Sequence, residues 1–351
     1  MKKLICLVLC IAMCVSMACA AFAGEAEEVD LSGEDYYEFS MSTSQVEGSW
    51  YATLLDDFIE TVAERTDGHI KITAYHNNTL GSPEDIYNGM VMGTIDMVNL
   101  GMSQAGEFPV NDITQIPFFC EDPYEALAVL EALYDAGYMT EYTDEGFHKL
   151  SFHPTDIQMI CLVDKQVESM DDFSGLNIRV NSGSIISALE AFGATAVSIT
   201  TTEVYMSLTT GVVDGAVSSP TAMTVFAFDD ACEYLYEVPL AIGGNYLCIS
   251  DMAWDSLSPV LQDILQEVSD EYLDIYMEAN IEAMNESIEK FSTVYAPTEE
   301  ALAEMREATA FIKEEWAANL TEKGYDGEAI MELAEKTLEE YRAAAAEVEA
   351  E

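Results

Sequence analysis

Residues 175–218 read GLNIRVNSGSIISALEAFGATAVSITTTEVYMSLTTGVVDGAVS. Residues 177–180, 195–199 and 214–218 are short runs with strand character, and residues 184–192 and 202–213 place apolar side chains at helical spacing between them. The order is β-α-β-α-β, which implies parallel strands joined by helical crossovers. Working outward, the same order occurs once before. Residues 37–43 alternate as a strand. Residues 49–66 put Trp50, Leu54, Leu55, Phe58, Ile59 and Val62 on one helical stripe, and Asp67-Gly68 ends it. Residues 69–75 form a second strand, Ser82-Pro83 opens a second helix, and residues 95–100 form a third strand. Two such units predict an α/β protein of two similarly built lobes.

The connecting segments complete this plan. Residues 117–138 read as mostly helical, and the chain is expected to change lobe between His153 and Cys161. Residues 245–250 return as a strand. From Ser258-Pro259, apolar periodicity continues to Phe291 without Pro or Gly. At ~1.5 Å per residue that helix is roughly 50 Å long and is expected to cross both lobes. An Ala- and Glu-rich helical tail follows from Thr298, fraying over residues 343–351. The expected domains are residues 36–156 with about 248–285 for one lobe, and 157–247 with about 286–351 for the other. A leader of residues 24–35 precedes them.

Residues 1–23 form a separate object. Lys2 and Lys3 precede an apolar run that ends in Ala21-Phe22-Ala23, and acidic residues follow at once. This is the pattern of a secretory signal peptide, too short to span a bilayer. Cys19, after Ser16 and Ala18, offers an alternative lipoprotein site, although the usual large aliphatic residue three positions before it is missing. Export places the protein in the periplasm or at the cell surface.

The chain has 351 residues, 13 Lys+Arg against 65 Asp+Glu, and a net charge of −52. Without the first 23 residues, eleven positive groups face 65 acids, a charge of −54. Half the residues are hydrophobic, which excludes disorder. The acidity excludes most nucleic-acid roles and argues against docking on anionic lipid, because both need clustered Lys and Arg. Beyond residue 23 the cysteines are Cys120, Cys161, Cys232 and Cys248. Cys161 and Cys248 fall in apolar strand-like runs and read as buried thiols, while three disulfide pairings stay open. His69, His76, His148 and His153 show no metal-ligand spacing and read as polar surface. No catalytic or phosphate-loop motif is present, so neither an enzyme nor a cofactor or metal is expected.

Arg179 is the informative residue. It is the only positive residue between Asp171 and Pro220. Strand alternation sets it opposite Ile178 and Val180, at the carboxyl end of its strand, where open α/β sheets bind ligands. A covered charge needs a partner. That partner is either one of the many acids or a ligand carboxylate, which a guanidinium grips with two parallel hydrogen bonds. Ser182 and Ser184 can cap the helix that follows. Thr200 and Glu203 have capping-box spacing for the next, and free helix N-termini there favour an anion. Asn181, Thr200, Thr201, Ser218 and Ser219 are polar candidates at the same edge, with Asn99 as the candidate from the first lobe.

These segments resemble the extracytoplasmic solute receptors of TRAP (tripartite ATP-independent periplasmic) transporters. The resemblance rests on ordered pieces: Thr66-Asp67-Gly68-His69-Ile70-Lys71-Ile72, Leu80-Gly81-Ser82, Gly93-Thr94-Ile95-Asp96-Met97, Ile116-Pro117-Phe118, Gly175-Leu176-Asn177-Ile178-Arg179-Val180, Phe192-Gly193-Ala194, Glu203-Val204-Tyr205 and Thr210-Gly211-Val212-Val213-Asp214-Gly215. Ile249-Ser250 and Trp254-Asp255-Ser256-Leu257-Ser258-Pro259 close the set. It implies a two-lobed periplasmic-binding-protein-like clamp. In it a monomeric receptor holds a small organic acid by its carboxylate on Arg179, for delivery to the large and small subunits of a membrane permease driven by an ion gradient. The alternatives are a secreted α/β enzyme and a ligand-binding sensory protein. The chain also departs from the family pattern. Ser219 stands where many members have an Asn that contacts ligand. Thr201 stands where an aromatic residue often precedes the helix. No second arginine occurs across residues 157–165. A more hydroxyl-rich and less doubly charged pocket follows.

N-terminal sequencing of the exported protein should begin at Gly24; a lipid-modified Cys19 as first residue would identify the lipoprotein route instead.

Overall fold

The computed structural model describes residues 30–101, 108–180 and 183–350. The signal segment, the leader up to residue 29, and Asn181 and Ser182 lie outside the described residues.

In the first unit, β1 (Tyr37–Thr43), β2 (Ile70–Tyr75) and β3 (Met97–Leu100) are connected through α1 (Trp50–Arg65) and α2 (Pro83–Val91). β1 pairs in parallel with both β2 and β3. The starts of the helices are written in their caps. The Ser49 hydroxyl accepts from the Ala52 amide, and Ser82 with Asp85 forms a capping box ahead of Pro83. Then comes α3 (Pro123–Asp135). It is shorter than the helical segment expected over 117–138, because Phe118 takes a left-handed φ of 60° and Asp122 caps the helix five residues late.

The second unit has β5 (Asn177–Val180), α4 (Gly183–Ala191), β6 (Thr195–Ser198), α5 (Thr201–Thr209) and β7 (Gly215–Ser218), again with parallel β5–β6 and β5–β7 pairing. A short helix, α6 (Pro220–Val225), follows directly. The two halves are welded by two long antiparallel strands, β4 (Phe147–Leu162) and β8 (Tyr234–Ser250). The sheet order is β2-β1-β3-β8-β4-β7-β5-β6, and β9 (Thr293–Tyr295) pairs with the early part of β8. Each long strand therefore serves one half of the sheet with one end and the other half with the other. Sequence reading found only residues 245–250 of β8. Pro239 and the pair Gly243-Gly244 interrupt the β pattern upstream, and tertiary pairing with β4 overrides them.

The β4–β8 ladder slips between Pro154 and Ile157. The long helix α7 (Pro259–Ile288) lies against this slip and also packs on α1 and α6. At about 45 Å it reaches both halves, as its periodicity predicts. The tail forms α8 (Glu299–Thr309), α9 (Phe311–Glu322) and α10 (Gly327–Ala350), which stays helical where fraying was expected. Its Arg342 clasps the buried Glu125 of α3 at 2.6 and 2.7 Å. Three apolar clusters fill the molecule, and all four cysteines named above are buried and unpaired.

Gly215 is required by close packing. A Cβ there would lie 2.4 Å from the Cys161 carbonyl oxygen and 2.9 Å from Leu162 Cδ2. Gly215→Ala should lower stability by about 1–3 kcal/mol, read as a reduced urea midpoint with an unchanged m-value.

Candidate functional site

A cleft of about 820 Å³ opens between the two halves. From the first half come the segment after β1, the start of α1 including Trp50 and Tyr51, and the turn Asn77-Asn78. From the second come Arg179, the starts of α4, α5 and α6, and the ends of β6 and β7. Thr155, Asp156 and Gln158 of β4, Gly243 to Asn245 of β8, and Tyr276 and Asn280 of α7 form the back wall. The parallel strands of the second half all end at this edge, so their following helices begin here.

Arg179 sits where its strand position predicts, only 1% exposed. Its Nε donates to the Ile199 carbonyl at 2.9 Å, Nη1 to the Val217 carbonyl at 3.3 Å, and Nη2 to Thr201 Oγ1 at 3.0 Å. All three acceptors are neutral. A guanidinium has five N–H donors, so among the described residues one remains on each terminal nitrogen. Arg65, Arg306 and Arg342 each make an ion pair with a glutamate, whereas Arg179 makes none among the described residues. Burial lowers its pKa to about 10, which leaves it charged at neutral pH. Among the described residues, the structural ion pair, one of the two partners open to this charge, is therefore absent.

Thr201, Ser218 and Ser219 line the cleft with Arg179. The Thr201 hydroxyl orients the guanidinium, and Ser219 is 7% exposed at the start of α6. Asn181 lies outside the described residues. Thr200 does not complete a capping box. It is the N-cap of α5, but its hydroxyl donates to the Glu203 carboxylate, and no side chain caps the α5 amides. Ser184 lies inside the first turn of α4.

Asn99 is not part of the cleft lining. It is fully buried one layer behind it: its Nδ2 donates to Tyr51 Oη at 2.8 Å, and its Oδ1 accepts from Thr43 Oγ1 at 3.3 Å. Tyr51 is the residue of this group that reaches the cleft. Its hydroxyl meets His153 Nδ1 at 2.7 Å, and His153 Nε2 meets Ser151 Oγ at 2.9 Å. His153 is thus a correction to the surface reading of the histidines: it has 0% exposure and stacks on Tyr276 at 4.7 Å. His69 is buried as well, with Nδ1 3.0 Å from the Asp35 carbonyl. A single His on a strand carries no sequence signal that it will be covered by a helix 120 residues later. Burial lowers His153 to a pKa of about 3, so it is neutral, and Tyr51 donating to Nδ1 leaves Nε2–H to donate to Ser151.

Two further cleft residues carry no motif. Asp156, 1% exposed, accepts from the Thr221 amide at 2.9 Å on one oxygen and from the Thr221 hydroxyl at 2.7 Å on the other. Asn280, also 1% exposed, donates to the Pro154 carbonyl at 3.3 Å beside Tyr276 Oη at 3.0 Å. That carbonyl is freed where the β4–β8 ladder slips. The long helix thus supplies the bonds that the strands do not.

Two α/β halves, shared crossing strands and a deep polar cleft between them define a binding-protein clamp. The profile of the bacterial extracellular solute-binding protein family 7 matches residues 39–320, and the chain belongs to that family. It is 26% identical over 206 residues to a solute-binding protein of Chromohalobacter salexigens, and 26% identical over 226 residues to the 2,3-diketo-L-gulonate-binding periplasmic protein of Escherichia coli. The first match covers 58% of this chain and the second 64%; they span 61% and 68% of those relatives' lengths. A TRAP solute binding protein from an unidentified marine microbe, described as specific for aromatic acid ligands and solved with 3-hydroxybenzoate, superposes with a TM-score of 0.79 at 19% identity. The match covers 88% of this chain and 99% of that one. A TRAP periplasmic protein of Chromohalobacter salexigens with bound D-glucuronate gives 0.75 at 19% identity, over 85% and 99% of the two chains. These likenesses establish the two-lobed fold. Among the described residues no helix is long and apolar enough to cross a membrane.

The His153 network yields a pH test with a definite sign. Below about pH 6.5 the unfolded chain binds a proton that folded His153 refuses until about pH 3. Its contribution is therefore intact above pH 6.5 and lost as the pH falls, by up to about 1.4 kcal/mol per unit. His153→Gln should be less stable than wild type at neutral pH, and the gap should narrow towards about pH 4.5. Urea denaturation across that range checks it; a constant gap would mean that His153 titrates as if exposed.

Proposed function

We propose that this protein is an extracytoplasmic receptor that closes its cleft on a small organic acid, with the ligand carboxylate on Arg179, and hands it to an ion-gradient-driven membrane permease of large and small subunits. The observation that carries this reading is a buried, charged guanidinium that, among the described residues, has no carboxylate partner and keeps two free donors at the cleft. Leaving such a charge uncompensated costs several kcal/mol, and a ligand carboxylate offsets it. Thr201, Ser218 and Ser219 would add hydroxyl contacts, Asn181 would flank them, and Asn99 would act indirectly by holding Tyr51. Membership of a solute-binding family supports capture rather than turnover. The acids named for relatives, D-glucuronate and 2,3-diketo-L-gulonate among them, support a carboxylate as the common feature.

We assign residues 36–156 with about 248–285 to one lobe, and 157–247 with about 286–351 to the other. The hinge then falls in β4 and β8 near the ladder slip, where few dihedral changes would close the clamp. Residues 1–23 would direct export and be removed, leaving a monomeric receptor outside the cytoplasmic membrane, with lipidation at Cys19 as the variant form.

Arg179→Ala should weaken binding of the natural ligand, identified by mass spectrometry of what co-purifies, by roughly a hundred- to several-thousand-fold, from about 3–5 kcal/mol. Arg179→Lys should bind poorly too, because an ammonium cannot grip two oxygens in one plane. Arg65→Ala, which removes a surface pair with Glu267 and Glu271, is the control and should bind normally. Calorimetry decides it: a folded Arg179→Ala protein within about threefold of wild type would place the anchor elsewhere.

A further inference from the structure

The charges lining the cleft are unequal. Arg179 is the single cation among the described lining residues, and it faces two acids, Asp112 and Asp156. Asp112 accepts from Gln115 Nε2 at 3.1 Å. Asp156 lies on the back wall, reached from Arg179 across β5, β7 and β4. Both Asp156 oxygens accept hydrogen bonds from Thr221, which favour the carboxylate, while burial pushes its pKa up. Two neutral acceptors stand on the same wall without partners. Asn280 Oδ1 is buried and unpaired, and its orientation is set because Nδ2 donates to the Pro154 carbonyl. Gln158 Oε1 is buried and unpaired as well. A buried acceptor without a donor is costly, and water or a ligand hydroxyl relieves it.

We propose that this wall selects the ligand by charge: Asp156, Asn280 and Gln158 accept hydroxyl groups of an acid whose one carboxylate sits on Arg179, and Asp156 rejects acids with a second carboxylate at that end. The inference rests on the carboxylate reading of Arg179 and names the class of acid. A second carboxylate would meet an acid and two carbonyl-type oxygens, with no cation to pair it. A bare alkyl chain would leave the three acceptors buried and dry. Hydroxyls fit both demands, because each donates one hydrogen bond and carries no charge. An ammonium is the weaker match, because two of the three acceptors are neutral.

Calorimetry on ligand-stripped protein with six-carbon probes separates the outcomes. Gluconate and glucuronate have hydroxyls and one carboxylate, glucarate has hydroxyls and two, hexanoate has one carboxylate and no hydroxyl, and lysine adds ammonium groups. Gluconate or glucuronate should bind best, with glucarate, hexanoate and lysine each at least about tenfold weaker. In folded Asp156→Asn, checked by circular dichroism, the glucarate penalty should shrink to within about threefold. Glucarate, hexanoate or lysine binding as tightly as the hydroxy acids in the wild type overturns the inference, as does an undiminished glucarate penalty in folded Asp156→Asn. If that variant does not fold, the wild-type series decides alone. Such failures leave the receptor reading standing provided that binding still requires Arg179. No binding by any probe overturns the inference alone, and binding indifferent to Arg179→Ala removes both.

Discussion

The pairing of β4 with β8 is the constraint on which the rest of the molecule depends. Both strands belong to both halves of one sheet, so each half is completed by residues that the other half also holds. Strands of 16 and 17 residues are long for a globular protein, and this pair does not keep one register along its length. The ladder slips between Pro154 and Ile157, and a backbone carbonyl is left over. Tyr276 and Asn280 of the long helix donate to it. That helix is therefore part of the crossing, not a cover laid over it. The same slip sets Thr155, Asp156 and Gln158 on the wall of the cleft.

Around this crossing, polar groups divide by how they are satisfied. Tyr51, Asn99, His153 and Ser151 close a chain of hydrogen bonds in which His153 stays neutral. Among the described residues Arg179 keeps two donors, and Asn280 and Gln158 keep a buried acceptor each. In a chain of net charge −52, a cation without an acid beside it is an informative exception. Arg65, Arg306 and Arg342 follow the expected rule, pairing with glutamates from partly exposed positions. Arg179 departs from it because the ends of β6 and β7 surround it with backbone carbonyls and the Thr201 hydroxyl. Those groups hold the guanidinium without neutralising it.

By itself the sequence determined what depends on local chemistry. The two β-α-β-α-β units were legible from their periods, the starts of α1, α2 and α7 from Ser or Ser-Pro, and the length of α7 from 30 residues without a breaker. Arg179 could be singled out because it is the only cation in a run of fifty residues, at the end of a strand. Tertiary structure alone decided the rest. Most of β8 was hidden by Pro239, Gly243 and Gly244, since a strand buried against β4 tolerates residues that local propensity disfavours. Asn99 was the candidate contact from the first lobe, yet it is fully buried behind Tyr51 of α1. His153, Asp156 and Asn280 gave no signal, because their roles come from residues some 65 to 126 positions away meeting at one slip in a ladder. Burial and the pairing of distant polar groups are properties of packing, and no window of sequence contains them.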